Sequence, residues 1–160
     1  MTVSTDMLVT WRRPRTVFRA KLDQGARDDR ALAILMAACL LLFVAQWPAL
    51  SRAAHFDPTV PLQARMSGAL IATLFILPLI LYAIAALSRL VASLLGGRGT
   101  YFGARLALFW ALLCTAPLML FHGLVSGFIG QGPQLLIVGI CVATAFLWLW
   151  LTLLHEAERG

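Results

Sequence analysis

The sequence predicts an all-α fold: a polytopic transmembrane helical bundle of four spans, preceded by a short amphipathic juxtamembrane helix. Three observations predict it. Of the 160 residues, 61% are hydrophobic and only 12% charged, against about 25% charged in a soluble domain, so the chain lacks the polar surface to cover a water-facing fold. The apolar residues gather in four blocks, each near the roughly 20 residues that cross a hydrocarbon layer about 30 Å thick. The cations stand beside these blocks, and mostly on one side of them.

Residues 1–30 form a basic lead. The stretch "WRRPRTVFRAKLDQGARDDR" holds seven of the thirteen Lys and Arg residues. Pro14 suits the first turn of a helix, Val17, Phe18 and Leu22 share a face with Trp11 just before it, and Gly25 can end it. The spacing predicts an amphipathic helix at the headgroups, with Trp11, Arg12, Arg13, Arg15, Phe18, Arg19 and Lys21 as membrane-surface residues. Anionic headgroups attract such cations by about 1 kcal/mol each. A nucleic-acid arm would need a docking fold behind it, whereas here the next residues enter the bilayer.

The transmembrane domain covers residues 31–155. Its first span, 31–50, follows the candidate N-cap Asp28 and is longer than the 7 to 15 apolar residues usual for a signal peptide. The second, 67–90, carries Arg89 near its end, placed to snorkel to headgroups, before "GGRG" stops the helix. The third and fourth, 105–128 and 135–154, are joined by the turn-rich "IGQGPQ" and should form an antiparallel hairpin. Residues 156–160 are a short tail. Eleven of the thirteen Lys and Arg lie on the side of the chain ends, leaving Arg52 and Arg65 opposite. The positive-inside rule then places both termini in the cytoplasm of a bacterial inner-membrane protein. Trp47, Tyr101, Trp148 and Trp150 fall near span ends, where amphipathic rings prefer to sit.

Pro78 and Pro117 stand near the middles of their spans and should kink them. Small residues recur at a spacing of four in Gly68 and Ala72, Ser88 and Ala92, Gly123 and Gly127, and Gly139 and Ala143, a pattern that lets helices approach closely in lipid. Such seams most simply join spans of one chain; "GLVSG" at 123–127 is the best candidate for a contact between molecules. Gln46, His122 and Ser126 could build a polar cluster towards the periplasmic face, with His55 and Asp57 in the first outer connection as candidate contributors. His155, Glu156 and Glu158 read as a solvated inner surface.

The chemical inventory points away from catalysis. All seven carboxylates lie outside the apolar blocks, which leaves no intramembrane acid for a proton relay or ion coupling. Cys39, Cys114 and Cys141 lie inside the blocks without a C-x-x-C pair and read as packing residues. No P-loop, dinucleotide, zinc-protease or nucleophile-elbow motif is present. No catalytic, cofactor or metal site is expected.

The order of "RRPRTVFRAKL", "LMAACLLLFVAQWPALSR", "LPLILYAIAALSRL" and "GARLALFWALLCTAPLMLFHGL" resembles bacterial members of the Yip-domain family, the Ypt/Rab-interacting integral membrane proteins, over roughly residues 10–155. The resemblance implies a role in membrane organisation through protein partners, with no enzymatic centre. Eukaryotic members usually cross five times, which leaves a fifth crossing open for this chain. The resulting expectation is a non-enzymatic scaffold, assembly factor or accessory subunit contacting a membrane-protein partner or a second copy of itself. The alternative is a small transporter or channel using the kinked helices and the polar cluster.

Overall fold

The computed structural model describes residues 2–159 and is helical throughout, with no strand among the described residues. Its elements are α1 (Val3–Arg12), α2 (Pro14–Asp23), α3 (Asp28–Phe56), α4 (Leu62–Ile71), a π-helical segment (Ala72–Ile76), α5 (Leu77–Leu94), α6 (Tyr101–Phe128) and α7 (Pro133–Glu158). Four helices are long and apolar enough to cross a membrane: α3, the continuous rod Leu62–Leu94, α6 and α7. The lead folds as two helices, where the sequence suggested one. Arg13, which precedes Pro14, is held at φ −139° and ψ 66°, outside the helical region that a following proline disfavours. The helix therefore breaks and restarts, and α1 and α2 fold against each other.

The first span exceeds its expected limits. α3 runs straight through Pro48 to Phe56, since one missing backbone donor is tolerated where the flanking residues stay helical and packed. Around Pro78 the chain answers differently. A helical turn before a proline must lose one amide donor and relieve the ring's clash with the carbonyl four residues back. Here the turn widens, and the Leu77 N–H donates to the Ala72 carbonyl five residues upstream. α6 continues across Pro117 without interruption.

α6 is the core of the molecule. From Phe102 to Ala116 every residue but Arg105 is buried, because α3, α5, α7 and α1 pack around it. The most apolar stretch of α6 is 61% buried within the protein, against 33% for α3, 22% for the α4–α5 rod and 11% for α7. The outer helices thus turn most of their apolar surface to the surroundings, as expected where lipid replaces water.

The seam between α6 and α3 is a glycine seam. A Cβ on Gly123 would overlap the Ala45 carbonyl, and one on Gly127 would overlap Pro48. The GLVSG stripe is therefore consumed inside the chain and is not available as the contact between molecules that the sequence suggested. Gly68 has no atom within 4 Å of an added Cβ and faces open space.

At the end carrying the chain termini, the tail is not a solvated surface. Glu156 is 4% exposed and pairs with Arg19, because α2 lies across the end of α7. The Glu158 carboxylate stands 3.3 Å from Arg89 and accepts the Gly99 N–H at 3.0 Å, while its main-chain carbonyl accepts from the Arg98 N–H at 3.1 Å. Arg89 thus meets a carboxylate of α7 instead of snorkelling to headgroups. The α5–α6 connection can reach this close because Gly97 and Gly99 have no side chains; a Cβ on either would collide with Glu158 or Ala157. Gly96, at φ +87°, closes α5: its N–H donates to Ser93 and the Gly97 N–H to Ala92, satisfying the last carbonyls of the helix.

Candidate functional site

Two constellations emerge, one where the lead meets α6 and one in the opposite half of the bundle. In the first, Phe18 is fully buried and belongs to the same apolar cluster as Leu106, Trp110 and Leu153. The Lys21 ammonium lies 3.9 Å from the centre of the Trp110 ring and 3.1 Å from the Asp6 carboxylate. Trp110 donates its indole N–H to the Thr10 hydroxyl at 3.1 Å, and that hydroxyl donates to the Asp6 carbonyl at 2.6 Å. A desolvated cation over an indole is worth about 2 kcal/mol, and here the ion pair adds to it. Phe18 and Lys21, assigned to the headgroups from sequence, are thus directed into the protein, and Arg19 is held by Glu156. The aromatic face of α6 supplies a better seat for both than the interface does. Arg12, Arg13 and Arg15 are exposed and Trp11 is half-buried. None of these three arginines pairs with a carboxylate among the described residues.

The second constellation is a cavity of about 390 Å³ bounded by α3, the π segment and α6, into which Gln46, Thr73, His122 and Ser126 all project. The structure brings the three polar residues named from sequence to one cavity and adds a fourth. Gln46 donates to the Thr73 hydroxyl at 2.8 Å. Thr73, in an otherwise apolar run, was missed; its signal is its place five residues before Pro78, in the widened turn. His122 also borders a second cavity of about 350 Å³ between α6 and α7, where Gly139 leaves room for the ring: a Cβ there would lie 3.3 Å from Nε2. Ala143 lines that cavity too. The amide, hydroxyls and imidazole can hydrogen-bond a polar group, but none supplies a fixed charge.

His55 does not join them. It is exposed and stacks edge-on with Phe56, beside Arg52, which donates to the Gly127 carbonyl at 3.2 Å and so caps α6. Asp57 is engaged locally with Thr59 and Arg65. Among the described residues no three His, Cys, Asp or Glu side chains gather in a way that could hold a metal ion. Cys39 and Cys114 are buried and Cys141 is exposed on α7.

A family model, the Yip1 domain, matches residues 8–159, which takes in the end of α1 and every later helix. No curated protein and no solved structure matches the chain. With four membrane-crossing helices and a lead docked on the third, the chain is a multi-pass membrane protein that belongs to the Yip1 domain family.

Proposed function

We propose that this protein is a non-enzymatic scaffold, assembly factor or accessory subunit of the bacterial inner membrane, with both chain ends in the cytoplasm. It engages membrane-protein partners, or a second copy of itself, through helix contacts. Membership of a family not known for enzymes supports the reading. The observation that carries it is the unequal use of the small-residue stripes. Gly123 and Gly127 are closed against α3, whereas Gly68 and the exposed Ala72 on the α4–α5 rod remain open. In lipid an open stripe of this kind is where a second helix gains the most dispersion contact. Arg12, Arg13 and Arg15 complete the picture as cations at the anionic headgroups.

The test is native purification in mild detergent with identification of co-purifying chains, alongside Gly68→Leu. A companion chain, or a dimer, should accompany the wild type and be depleted from the variant. A chain that emerges alone and monomeric in every mild detergent overturns the reading. Reporter fusions at positions 57, 99 and 131 test the orientation separately.

A second reading, a small transporter or channel, rests on the two cavities that share His122. Solute flux in reconstituted vesicles that is abolished by His122→Leu would favour it; absence of flux in any oligomeric state removes it.

A further inference from the structure

A cavity of about 500 Å³ lies in the corner where α1 meets α6, walled by Met7, Leu8 and Trp11 on one side and Pro117 and Leu118 on the other. Ser4 carries the only hydroxyl in its lining. Along α1, Ser4, Leu8 and Arg12 follow at a spacing of four and so form a single strip. The strip leads from the apolar corner to Arg12; Arg13, which lines a separate cavity with Asp6, Val9 and Lys21, and Arg15 follow where α1 turns into α2. Leu8 is 72% exposed, so the corner is open along this strip and is not sealed by protein.

Position along α6 sets the depth. Arg105 pairs with Asp28 at 3.1 Å and marks the level at which α3 and α6 leave the polar region. Leu118 lies thirteen residues further on, about 20 Å along the helix axis. The corner, walled on α6 by Cys114 to Leu118, thus lies about the middle of a hydrocarbon layer roughly 30 Å thick, at the depth where acyl chains end. Neighbouring acidic groups do not neutralise the basic turn between α1 and α2: Asp6 is taken by Lys21, and the three arginines find no carboxylate among the described residues. A guanidinium group at the edge of an apolar region is stable when an anion meets its donor fork. An apolar slot of this size accepts a hydrocarbon chain and offers a polar solute little beyond the Ser4 hydroxyl.

We propose that this corner binds one anionic phospholipid, its acyl chain lying in the cavity under α1 and its phosphate held by Arg12, Arg13 and Arg15. The lipid fills the space between lead and core, so that the lead docks on α6 through protein contacts on one side and through lipid on the other. Its assignment to the cytoplasmic leaflet rests on the orientation given under Proposed function; the binding itself does not, and the two fail separately because the test uses detergent-solubilised protein.

The experiment is native mass spectrometry of the full chain in mild detergent with added phosphatidylglycerol or phosphatidylcholine. One phosphatidylglycerol should be retained at least tenfold more strongly than phosphatidylcholine. The triple variant Arg12→Gln, Arg13→Gln, Arg15→Gln should lose about tenfold or more of that retention. Ser4→Phe, which fills the slot while leaving every arginine in place, should lose retention to a similar degree. Should Ser4→Phe not fold, Leu118→Trp narrows the same space from α6. Equal retention of the two lipids, an unaltered triple variant, or full retention with the slot filled overturns the proposal.

Discussion

The two halves of α6 carry similar apolar sequence and meet very different surroundings. From Phe102 to Ala116 the helix is enclosed on all sides by α1, α3, α5 and α7, and its end is closed by the pairs Arg19–Glu156, Arg89–Glu158 and Arg105–Asp28. From Pro117 onward Phe121, Leu124 and Phe128 are exposed, the Gly123 and Gly127 seam holds α3, and two cavities border His122. One half is fastened by long-range ion pairs inside the protein. The other relies on close backbone packing and leaves space. Movement is cheap in the half that carries the widened turn and the cavities, which can rearrange without breaking a long-range ion pair; its Asp57–Arg65 pair joins residues only eight positions apart.

The largest effect that would sharpen the contrast comes from matched aromatic deletions. Trp110→Ala removes a fully buried ring that also seats Lys21 and bonds Thr10. It should cost about 3–5 kcal/mol and release the lead, read as earlier thermal unfolding in detergent and as rapid proteolysis between Gly25 and Arg30. Phe121→Ala, at a 55% exposed position on the same helix, should change stability by about 0.5 kcal/mol or less. Equal losses would mean that the lead does not enclose α6.

Next in size is Gly123→Val. The new side chain meets the Ala45 main chain, which cannot step aside as a flexible side chain could, so about 3 kcal/mol or more is expected from overpacking. Cysteines placed at Ala49 and Ser126 should then cross-link less readily, reporting a separated α3 and α6. The same substitution at Gly68, where nothing lies within 4 Å, should leave the folded monomer unaffected.

These contrasts also explain what could be read in advance. The four crossings were legible because an apolar run of bilayer length has one stable solution, with every backbone polar group paired within its own helix. The polar cavity was legible in part, since Gln46, His122 and Ser126 stand out in apolar surroundings. Thr73 did not stand out, because its importance comes from the turn that Pro78 widens. The inward turn of Lys21 was illegible for a different reason. It depends on Trp110, and the bond that fixes α1 there joins residues one hundred positions apart. The burial of Glu156 and Glu158 likewise follows from where α2 and the Gly97–Gly99 connection come to rest, which no local pattern records.

Thr73→Val probes the loose half at a smaller scale. It keeps the shape of the side chain and removes the acceptor for Gln46, at 2.8 Å. Hydrogen bonds of this kind within a bundle are worth about 0.6 kcal/mol and at most about 1.7. The expected outcome is a slight loss of thermal stability together with faster exchange of the amides in the π segment. An unchanged exchange rate would mean that Pro78 alone maintains the widened turn.

The smallest effect lies in the connection between α3 and α4, at the far end of the loose half. Asp57 accepts the hydroxyl and N–H of Thr59 and pairs with Arg65 at 2.8 Å. The Thr59 hydroxyl first, then Arg65 and the Thr59 N–H, hold its carboxyl below the ordinary value of 3.8. A carboxyl whose pKa falls on folding contributes stability that is fully present above its unfolded value and disappears as pH drops through the folded one. The connection should therefore stay ordered at pH 7 and at pH 5 and loosen only below about pH 4, seen as faster exchange at Thr59 and Val60 with α3 and α4 unchanged. Because Asp57 is exposed, the change should remain local, and Asp57→Asn should remove the pH dependence. Loosening that spread to the Arg19–Glu156 end at the same pH would show that the two halves are coupled and that the contrast between them is not one of independent parts.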